Sequence, residues 1–235
     1  MSKIFWYEVL ESTQEEARRL AEAGEKGVVV ARRQTAGRGR RGRPWLSPEG
    51  GLYATFILPG EELAFPPELL PLAAGVAVVK ALKALYGISL GLKWPNDVLY
   101  QGRKLCGLLV ESLFREGHPV CFLVGVGINL NRPVPEAPQA VSLGEILGRE
   151  VPLEEVLSGL MAAFKEVGHL KPEEVLSSWR AFSETLGRRV RILHPEGSLE
   201  GIALEVSPYG NLILKTEEGL REVAFGDCIH LRPAG

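Results

Sequence analysis

The hydrophobic pattern of the first sixty residues predicts three strands and one helix. Residues 3–10 alternate between apolar and polar side chains, which predicts a first strand. Residues 12–15 (Ser-Thr-Gln-Glu) have the form of a capping box, so we predict a helix from there to about Gly24. Short apolar runs at 28–31 and 51–58 predict the second and third strands.

The longest apolar segment extends from residue 66 to residue 86 and predicts a central buried helix. No segment is expected to approach the roughly 18 uncharged apolar residues of a membrane span, so no membrane association is expected. Four strand candidates follow the helix, at 90–94, 98–100, 105–112 and 120–129.

The last ninety residues divide into a helical region and a region of short strands. Residues 142–182 predict three helical pieces, two of which begin near Pro152 and Pro172. Five strand candidates follow, at about 189–194, 199–207, 211–216, 220–225 and 228–232. We therefore predict an α+β fold, with a mixed sheet flanked by helices in residues 1–184 and a small β-barrel in residues 187–235.

Composition narrows the possible classes of protein. The 235 residues include 27 basic and 29 acidic side chains, for a net charge of −2. Three widely spaced cysteines, Cys106, Cys121 and Cys228, indicate neither a disulfide framework nor a zinc site. The N-terminus lacks a signal-peptide pattern, so a cytoplasmic location is expected.

Residues 32–43 carry the strongest functional signal, because they contain six arginines, three glycines and no acidic residue. Arginine stays protonated and binds carboxylates and phosphates through paired hydrogen bonds, while glycine lets the backbone approach a ligand. Without these six arginines the chain has 21 basic against 29 acidic residues, or −8. This concentration of charge favours a small polyanion such as a nucleotide over a duplex. A solvated basic loop or a targeting signal is the alternative.

Three further segments carry candidate chemistry. Asn96 and Asp97, in the segment KWPND, suit magnesium-bound phosphate, although Pro-Asn-Asp is also an ordinary turn sequence. Lys104 opens an apolar strand, either as a strand-end charge or as a phosphate-binding group. Two glycines in the segment GVGIN at 125–129 favour a ligand lying against the backbone. No nucleophile–base pair is apparent, which suits a reaction in which the substrate is itself the nucleophile.

Taken in order, four segments resemble the biotin protein ligases: QTAGRGRRGRPW at 34–45, KWPND at 93–97, KLCGLLVE at 104–111 and GVGIN at 125–129. The resemblance covers essentially the whole chain, and the predicted barrel resembles the SH3-like C-terminal domain of that family. It departs from the family pattern at Gln14, where asparagine is frequent, and at Pro44, where a basic residue is frequent.

This resemblance implies a two-step ligation that uses ATP and Mg²⁺, with biotin as the substrate. Biotin's carboxylate attacks the α-phosphate to give biotinyl-5′-AMP and pyrophosphate. A lysine of the biotin carboxyl carrier protein or domain of a carboxylase then takes the biotinyl group and releases AMP. A homodimer is expected. Because the first strand begins by residue 3, we expect a monofunctional ligase without the DNA-binding domain that some members carry, and hence no DNA binding.

The resemblance also assigns the binding residues. The positions that hold the biotin ring in that family are matched by Ser12, Thr13 and Gln34. The biotin slot would be lined by Gly107 and Gly125. Contacts to the biotin tail and carboxylate are matched by Gly37 and Arg38. Arg40 matches the arginine that covers the adenylate, and Arg43 resembles a triphosphate or pyrophosphate contact. Trp45 would stack on adenine, and Asn129 would approach the same end. The magnesium–triphosphate is matched by Asn96 and Asp97, with Lys93 beside them. The predicted catalytic groups are Lys104, which bridges the carboxylate and the α-phosphate, Arg40 and Arg38.

Two other functions fit parts of the sequence. A lipoate ligase has the same fold and chemistry but lacks this arginine-rich pattern. An RNA-binding module would use the arginine segment together with the barrel, and would show steep salt dependence. The barrel segment disfavours it, because that segment carries acidic residues and few aromatic ones: Glu196, Glu200, Glu205, Glu217, Glu218 and Asp227.

Overall fold

A seven-stranded mixed sheet forms the centre of the larger domain, in a computed structural model that describes residues 3–116, 118–132, 139–194 and 196–231. Its strand order is β1-β2-β3-β7-β6-β5-β4, and only the β1–β2 pair is parallel. The strands are β1 (Ile4–Leu10), β2 (Gly27–Gln34), β3 (Leu52–Pro59), β4 (Gly91–Lys93), β5 (Asp97–Tyr100), β6 (Arg103–Arg115) and β7 (His118–Ile128). The helices are α1 (Thr13–Glu22), α2 (Leu70–Tyr86), α3 (Leu143–Leu147), α4 (Leu153–Gly168) and α5 (Pro172–Phe182).

Helix α1 covers one face of this sheet. Ser12 caps the helix, because its Oγ accepts a hydrogen bond of 3.2 Å from the backbone N–H of Gln14. The buried side chains of Ala17 and Leu20 then pack on a small apolar cluster that includes Val29 and Leu123. This packing holds the N-terminal end of α1, and with it Thr13, beside the sheet.

The opposite face is covered by α2, α4 and α5, and α2 is buried on nearly all sides. Residues Pro67–Tyr86 are long and apolar enough to cross a membrane, with a mean hydropathy of 1.6. The expectation that no segment approaches the length and composition of a membrane span was therefore wrong. About 67% of the most apolar window is buried inside the protein, which identifies α2 as the core helix that the sequence predicts.

Most predicted elements are present, with shifted ends. The predicted helix at 66–86 begins as a short 3₁₀ turn at Pro67–Leu69 before α2. Strand β6 extends beyond its predicted 105–112, since its start pairs with β5 and its end with β7. A 3₁₀ turn at Arg40–Gly42 and a cis peptide bond before Pro95 were not predicted.

The smaller sheet is antiparallel and has the strand order β11-β10-β9-β8-β12. Its strands are β8 (Arg189–His194), β9 (Gly197–Val206), β10 (Leu212–Thr216), β11 (Gly219–Val223) and β12 (Asp227–His230). This arrangement is consistent with the predicted SH3-like fold. Within the described part of the chain no hydrogen-bonded ladder joins the outer strands β11 and β12, so the predicted closure into a barrel is not seen.

Trp94, in the KWPND segment, connects the two sheets. Its side chain is buried, and its indole N–H donates a 3.0 Å hydrogen bond to the carbonyl of Gly210. Its backbone N–H donates to Thr185 Oγ1, also at 3.0 Å. Contacts from the smaller sheet therefore fix the chain just before Asn96 and Asp97.

Candidate active site

A trench runs across one face of the large sheet because three neighbouring positions there are glycines. Residues in register on adjacent strands share a face, and so do residues two apart along a strand. One such row contains Tyr53 on β3, Gly127 on β7, Gly107 on β6 and Asp97 on β5. The next row on this face includes Thr55 on β3, Gly125 on β7 and Leu109 on β6.

The trench forms the floor of a cleft with a volume of about 340 Å³. Thirteen of the fifteen predicted site residues line it: Ser12, Thr13, Gln34, Arg38, Arg40, Arg43, Trp45, Asn96, Asp97, Lys104, Gly107, Gly125 and Asn129. The other two, Gly37 and Lys93, lie outside the lining. The structure thus brings together residues from five separate segments between positions 12 and 129.

Polar side chains at one end of the cleft form a continuous hydrogen-bonded chain. Gln34 Oε1 accepts from the backbone N–H of Thr13 at 2.8 Å and from its hydroxyl at 3.1 Å. Gln34 Nε2 donates to Ser47 Oγ at 2.8 Å. Thr55 Oγ1 lies 2.9 Å from Thr13 Oγ1 and continues the chain across the sheet. This end of the cleft is therefore suited to a small ligand group with both N–H and C=O functions.

Gln14 extends the chain and was not predicted as a site residue. Its Oε1 accepts from Thr55 Oγ1 at 3.2 Å, while its Nε2 donates to Glu111 Oε2, also at 3.2 Å. Glu111 in turn pairs with Arg18 at 2.7 Å. The sequence showed only that Gln14 departs from the family pattern, since its partners Thr55 and Glu111 are 41 and 97 residues away.

Lys104 reaches the cleft because of a β-bulge. Val98 pairs with Cys106 but Leu99 pairs with Lys104, so β6 has one extra residue there. The bulge brings Lys104 onto the same face as Gly107, from which it would otherwise point away. Its ammonium lies 2.7 Å from Asp97 Oδ1 and 5.2 Å from the centre of the Trp45 ring. On the opposite face, burial raises the pKa of the Cys106 thiol, which keeps that group neutral.

The arginine-rich segment folds into a short hairpin over the cleft, here called the arginine hairpin (residues 37–45). Its base is closed by a 2.8 Å hydrogen bond from the Trp45 N–H to the Gly37 carbonyl. At its tip Arg41 has a φ of 58°, a left-handed conformation that is uncommon for a side chain of this size. Gly37 packs so closely against Ser47 Oγ and the Trp45 carbonyl that a Cβ would collide with both.

Arg40 links the arginine hairpin to both domains. One guanidinium nitrogen donates to Asn96 Oδ1 and to the Gly226 carbonyl, each at 3.2 Å. Burial lowers the pKa of Arg40, although the nearby Asp227 and Asp97 carboxylates favour its charged form. An arginine pKa starts high enough that the side chain stays protonated. Arg40 is thus a partly buried positive charge in the cleft.

Asp227, from the smaller sheet, is the second site residue that sequence reasoning missed. It lies at the cleft and forms ion pairs with Arg43 and, at 3.0 Å, with Arg41. Arg38 instead pairs with Glu15 at 2.7 Å on the large domain. No sequence signal marks Asp227, because it is one of several acidic residues in its segment and its partners are about 185 residues away.

Asn129 and Lys93 mainly make contacts that support the surrounding strands. Asn129 Nδ2 donates to the carbonyls of Lys104 and Val141, at 3.2 and 3.3 Å, and so supports the strand that carries Lys104. Lys93 pairs in register with Asp97 on edge strand β4. Burial lowers the pKa of His230 to about 4, and the positive charge of Lys93 contributes to this decrease.

Comparison with known proteins gives a consistent result for both parts of the chain. Residues 6–129 match the biotin/lipoate A/B protein ligase family. Residues 185–231 match the biotin protein ligase C-terminal domain.

Individual relatives align over nearly the whole chain. It is 34% identical over 239 residues to a bifunctional ligase/repressor BirA of Bacillus subtilis, covering 95% of this chain and 73% of that protein. It is 33% identical to a biotin–[acetyl-CoA-carboxylase] ligase of Paracoccus denitrificans, covering 92% of this chain and 98% of the relative. Among solved structures, the Aquifex aeolicus biotin protein ligase in complex with biotin and ATP superposes with a TM-score of 0.84 at 34% identity, covering 99% and 100% of the two chains.

Proposed function

The chain belongs to the biotin/lipoate A/B protein ligase family, and we propose that its cleft joins biotin to ATP and then passes the biotinyl group to a lysine of a carboxylase carrier domain. The observation that carries this proposal is the convergence of Lys104 and the arginine hairpin on one cleft. The similar Aquifex aeolicus enzyme holds biotin and ATP together. The protein is a biotin protein ligase in fold, substrates and reaction class.

The first step brings two anions together, so charge neutralisation is its main requirement. A carboxylate oxygen of biotin bonds to the α-phosphorus, the α–β phosphoanhydride bond breaks, and pyrophosphate leaves. Lys104 and Arg40 place positive charge in a partly dehydrated cleft, where such charges act more strongly than in water. Since the carboxylate is already a nucleophile, no side chain has to remove a proton from it.

The second step requires that the acceptor lysine can reach the mixed anhydride and that the mixed anhydride stays bound until then. The neutral amine of an acceptor lysine attacks the biotinyl carbonyl, the bond to the phosphate oxygen breaks, and AMP leaves as the amine loses a proton. The arginine hairpin lies over the cleft and can keep water and stray amines from the mixed anhydride until the carrier domain arrives. Arg40 is suited to this retention because it spans from the hairpin to Asn96 and Gly226.

The polar end of the cleft favours biotin over lipoate. Biotin's ureido group offers two N–H donors and one carbonyl acceptor, which match the Thr13–Gln34–Thr55 chain. A dithiolane ring offers neither N–H donors nor a carbonyl acceptor, so it cannot form the hydrogen bonds with this chain that a ureido group can form. The structure therefore supports biotin as the preferred acid.

Replacing Thr13 with valine is expected to lower biotin affinity by about tenfold or more, because a lost hydrogen bond with unpaired partners costs about 1–3 kcal/mol. Valine keeps the shape of threonine but cannot bond to Gln34 Oε1. Isothermal titration with biotin measures the change, with Thr216→Val in the smaller sheet as the matched control. Unchanged affinity in Thr13→Val would remove this end of the cleft from the biotin site.

Of the two predicted magnesium ligands, Asp97 fits better than Asn96. Asn96 Oδ1 already accepts from Arg40, and its Nδ2 donates to the Leu108 carbonyl at 2.7 Å. Asp97 gives one oxygen to Lys104 and keeps a second. Magnesium usually takes one or two carboxylates from the protein and its other ligands from phosphate and water. When bound with ATP, it would neutralise phosphate charge beside Asp97.

The homodimer stays a prediction, supported by edge strand β1, which exposes Ile4, Trp6 and Val9. The absence of DNA binding, the cytoplasmic location and the domain boundary at residues 184–187 also stay predictions.

Transfer to a protein acceptor tests the proposed function. Purified protein, ATP, Mg²⁺ and biotin are incubated with a biotin carboxyl carrier domain, and incorporation is followed by intact mass. We expect the mass to rise by one biotinyl group, and to stay unchanged when the acceptor lysine is replaced by arginine. Failure to modify any carrier domain, with active enzyme from a relative as the positive control, would contradict the proposal.

Asp227→Asn is expected to loosen the arginine hairpin in the absence of substrates. The substitution removes the carboxylate that pairs with Arg41 and Arg43. Exposed ion pairs contribute about 0.2–1 kcal/mol each, so trypsin should cleave the hairpin about two- to tenfold faster. Glu200→Gln, which breaks an ion pair with Arg191 elsewhere in the smaller sheet, is the control. Equal cleavage rates in Asp227→Asn and the parent would show that Asp227 does not hold the hairpin.

A further inference from the structure

Two glycines directly opposite each other on β6 and β7 lie under the indole ring of Trp45. Gly107 and Gly127 are register partners. A Cβ at Gly127 would lie 2.5 Å from Nε1 and 2.7 Å from Cε2 of Trp45. A Cβ at Gly107 would lie 2.9 Å from Cζ3 of the same ring. Real Cβ atoms do not approach other atoms below 3.0 Å, so the ring can lie here only because both positions are glycine.

Shape rather than hydrogen bonding holds the ring. The Trp45 indole N–H is buried and has no hydrogen-bond partner among the described residues. A buried indole usually finds an acceptor for this group. Here the N–H edge rests on the bare backbone at Gly127, and the ammonium of Lys104 lies 5.2 Å from the ring centre.

The position of the ring is coupled to that of the arginine hairpin. Trp45 closes the base of the hairpin through its N–H to the Gly37 carbonyl, at 2.8 Å. Its own carbonyl accepts from Ser47 Oγ, also at 2.8 Å. A ring lifted from the sheet would therefore lift the hairpin backbone, and with it Arg40 and Arg43.

We propose that Gly127 is a positioning residue: by leaving room for the Trp45 ring, it sets how closely the arginine hairpin approaches the phosphates of the nucleotide. The inference rests on the proposed function, since it concerns ATP in the same cleft. Gly127 acts through Trp45, and the ureido end around Gly125 lies one row further along the sheet. Nucleotide binding should therefore suffer more than biotin binding.

A double-mutant cycle on Gly127→Ala and Trp45→Ala tests the proposal. Gly127→Ala is expected to raise the KM for ATP by about tenfold and to change biotin affinity by less than about threefold, because one added methyl group overpacks the ring's position. Trp45→Ala removes the ring, so adding Gly127→Ala to it should raise the KM for ATP no further. A parental KM for ATP in Gly127→Ala would overturn the proposal and show that Gly127 has no role. Fully additive effects in the double variant would overturn it in favour of direct contact between Gly127 and the nucleotide.

Thermal unfolding supplies a second cycle that does not depend on catalysis. Gly127→Ala is expected to lower Tm through the clash with Trp45, and the double variant should recover the Tm of Trp45→Ala alone. Gly168→Ala is the control, because a Cβ there would meet only the Glu62 carbonyl, at 3.6 Å. If the parental protein shows no biotin-dependent activity, the proposed function is wrong. The Tm measurements would still test the contact between Gly127 and Trp45. Additive Tm losses would contradict that contact.

Discussion

Replacing Lys104 with alanine is expected to slow formation of biotinyl-5′-AMP by about a hundred- to a thousandfold, the usual effect of removing one group that stabilises transition-state charge. The β6 bulge turns Lys104 into the cleft, and Asp97 holds its ammonium at 2.7 Å. We therefore propose that this charge acts where the biotin carboxylate and the α-phosphate meet. Biotin binding should change by less than about tenfold, or ~1.4 kcal/mol, because the ring contacts are elsewhere.

Two comparisons make the Lys104 prediction specific. Lys80→Ala removes a lysine on α2, on the opposite face of the sheet, where it pairs with Glu166. That variant should form the adenylate at the parental rate. Lys104→Arg keeps the charge with a different shape and should recover part of the lost rate. Rapid-quench measurement of the first turnover reads the step directly, and a parental rate in Lys104→Ala would refute the assignment.

Arg40→Gly is expected to form biotinyl-5′-AMP but to release it about ten- to a hundredfold faster, since a hydrogen bond to a charged group contributes about 1.5–3 kcal/mol. Arg40 connects the arginine hairpin to Asn96 on the large domain and to Gly226 on the smaller one. Without it the hairpin loses its contacts across the mouth of the cleft. The free adenylate would then modify lysines of bystander proteins.

Labelling of a bystander protein measures this leak. The variant, biotin and ATP are incubated with serum albumin, and albumin-bound biotin is compared with the parent and with Arg149→Gly, an exposed arginine near α3. Only Arg40→Gly should label albumin above background. If it retains the adenylate as long as the parent does, the arginine hairpin does not act as a cover held by Arg40.

Much of the fold could be predicted from local sequence patterns, because helix capping and the burial of an apolar helix depend on residues that are close in sequence. The apolar segment that became α2 contains only two charged residues, Lys80 and Lys83, and such a helix must be largely surrounded by other elements. The Ser12 capping signal correctly placed the start of α1. Closure of the smaller sheet depends on pairing between its first and last strands, and no local pattern in β11 or β12 reports that pairing.

The candidate site was predictable where a residue carries a family signal and not where it acts through distant partners. Lys104 and Gln34 stand in distinctive segments, and both line the cleft. Asp227 and Gln14 gain their importance from ion pairs and hydrogen bonds to residues far along the chain. Gly127 stands in a segment that the sequence marks, but its contact with Trp45 depends on the register of β6 and β7.

The most direct test of the central claim, that this cleft activates biotin with ATP, is ATP–pyrophosphate exchange with the purified protein. Exchange is measured with biotin, with lipoate and with no acid, and in parallel for Lys104→Ala. We expect exchange with biotin alone, and its loss in the variant. No exchange with either acid, or equal exchange with lipoate, would contradict the assignment of the cleft to biotin activation.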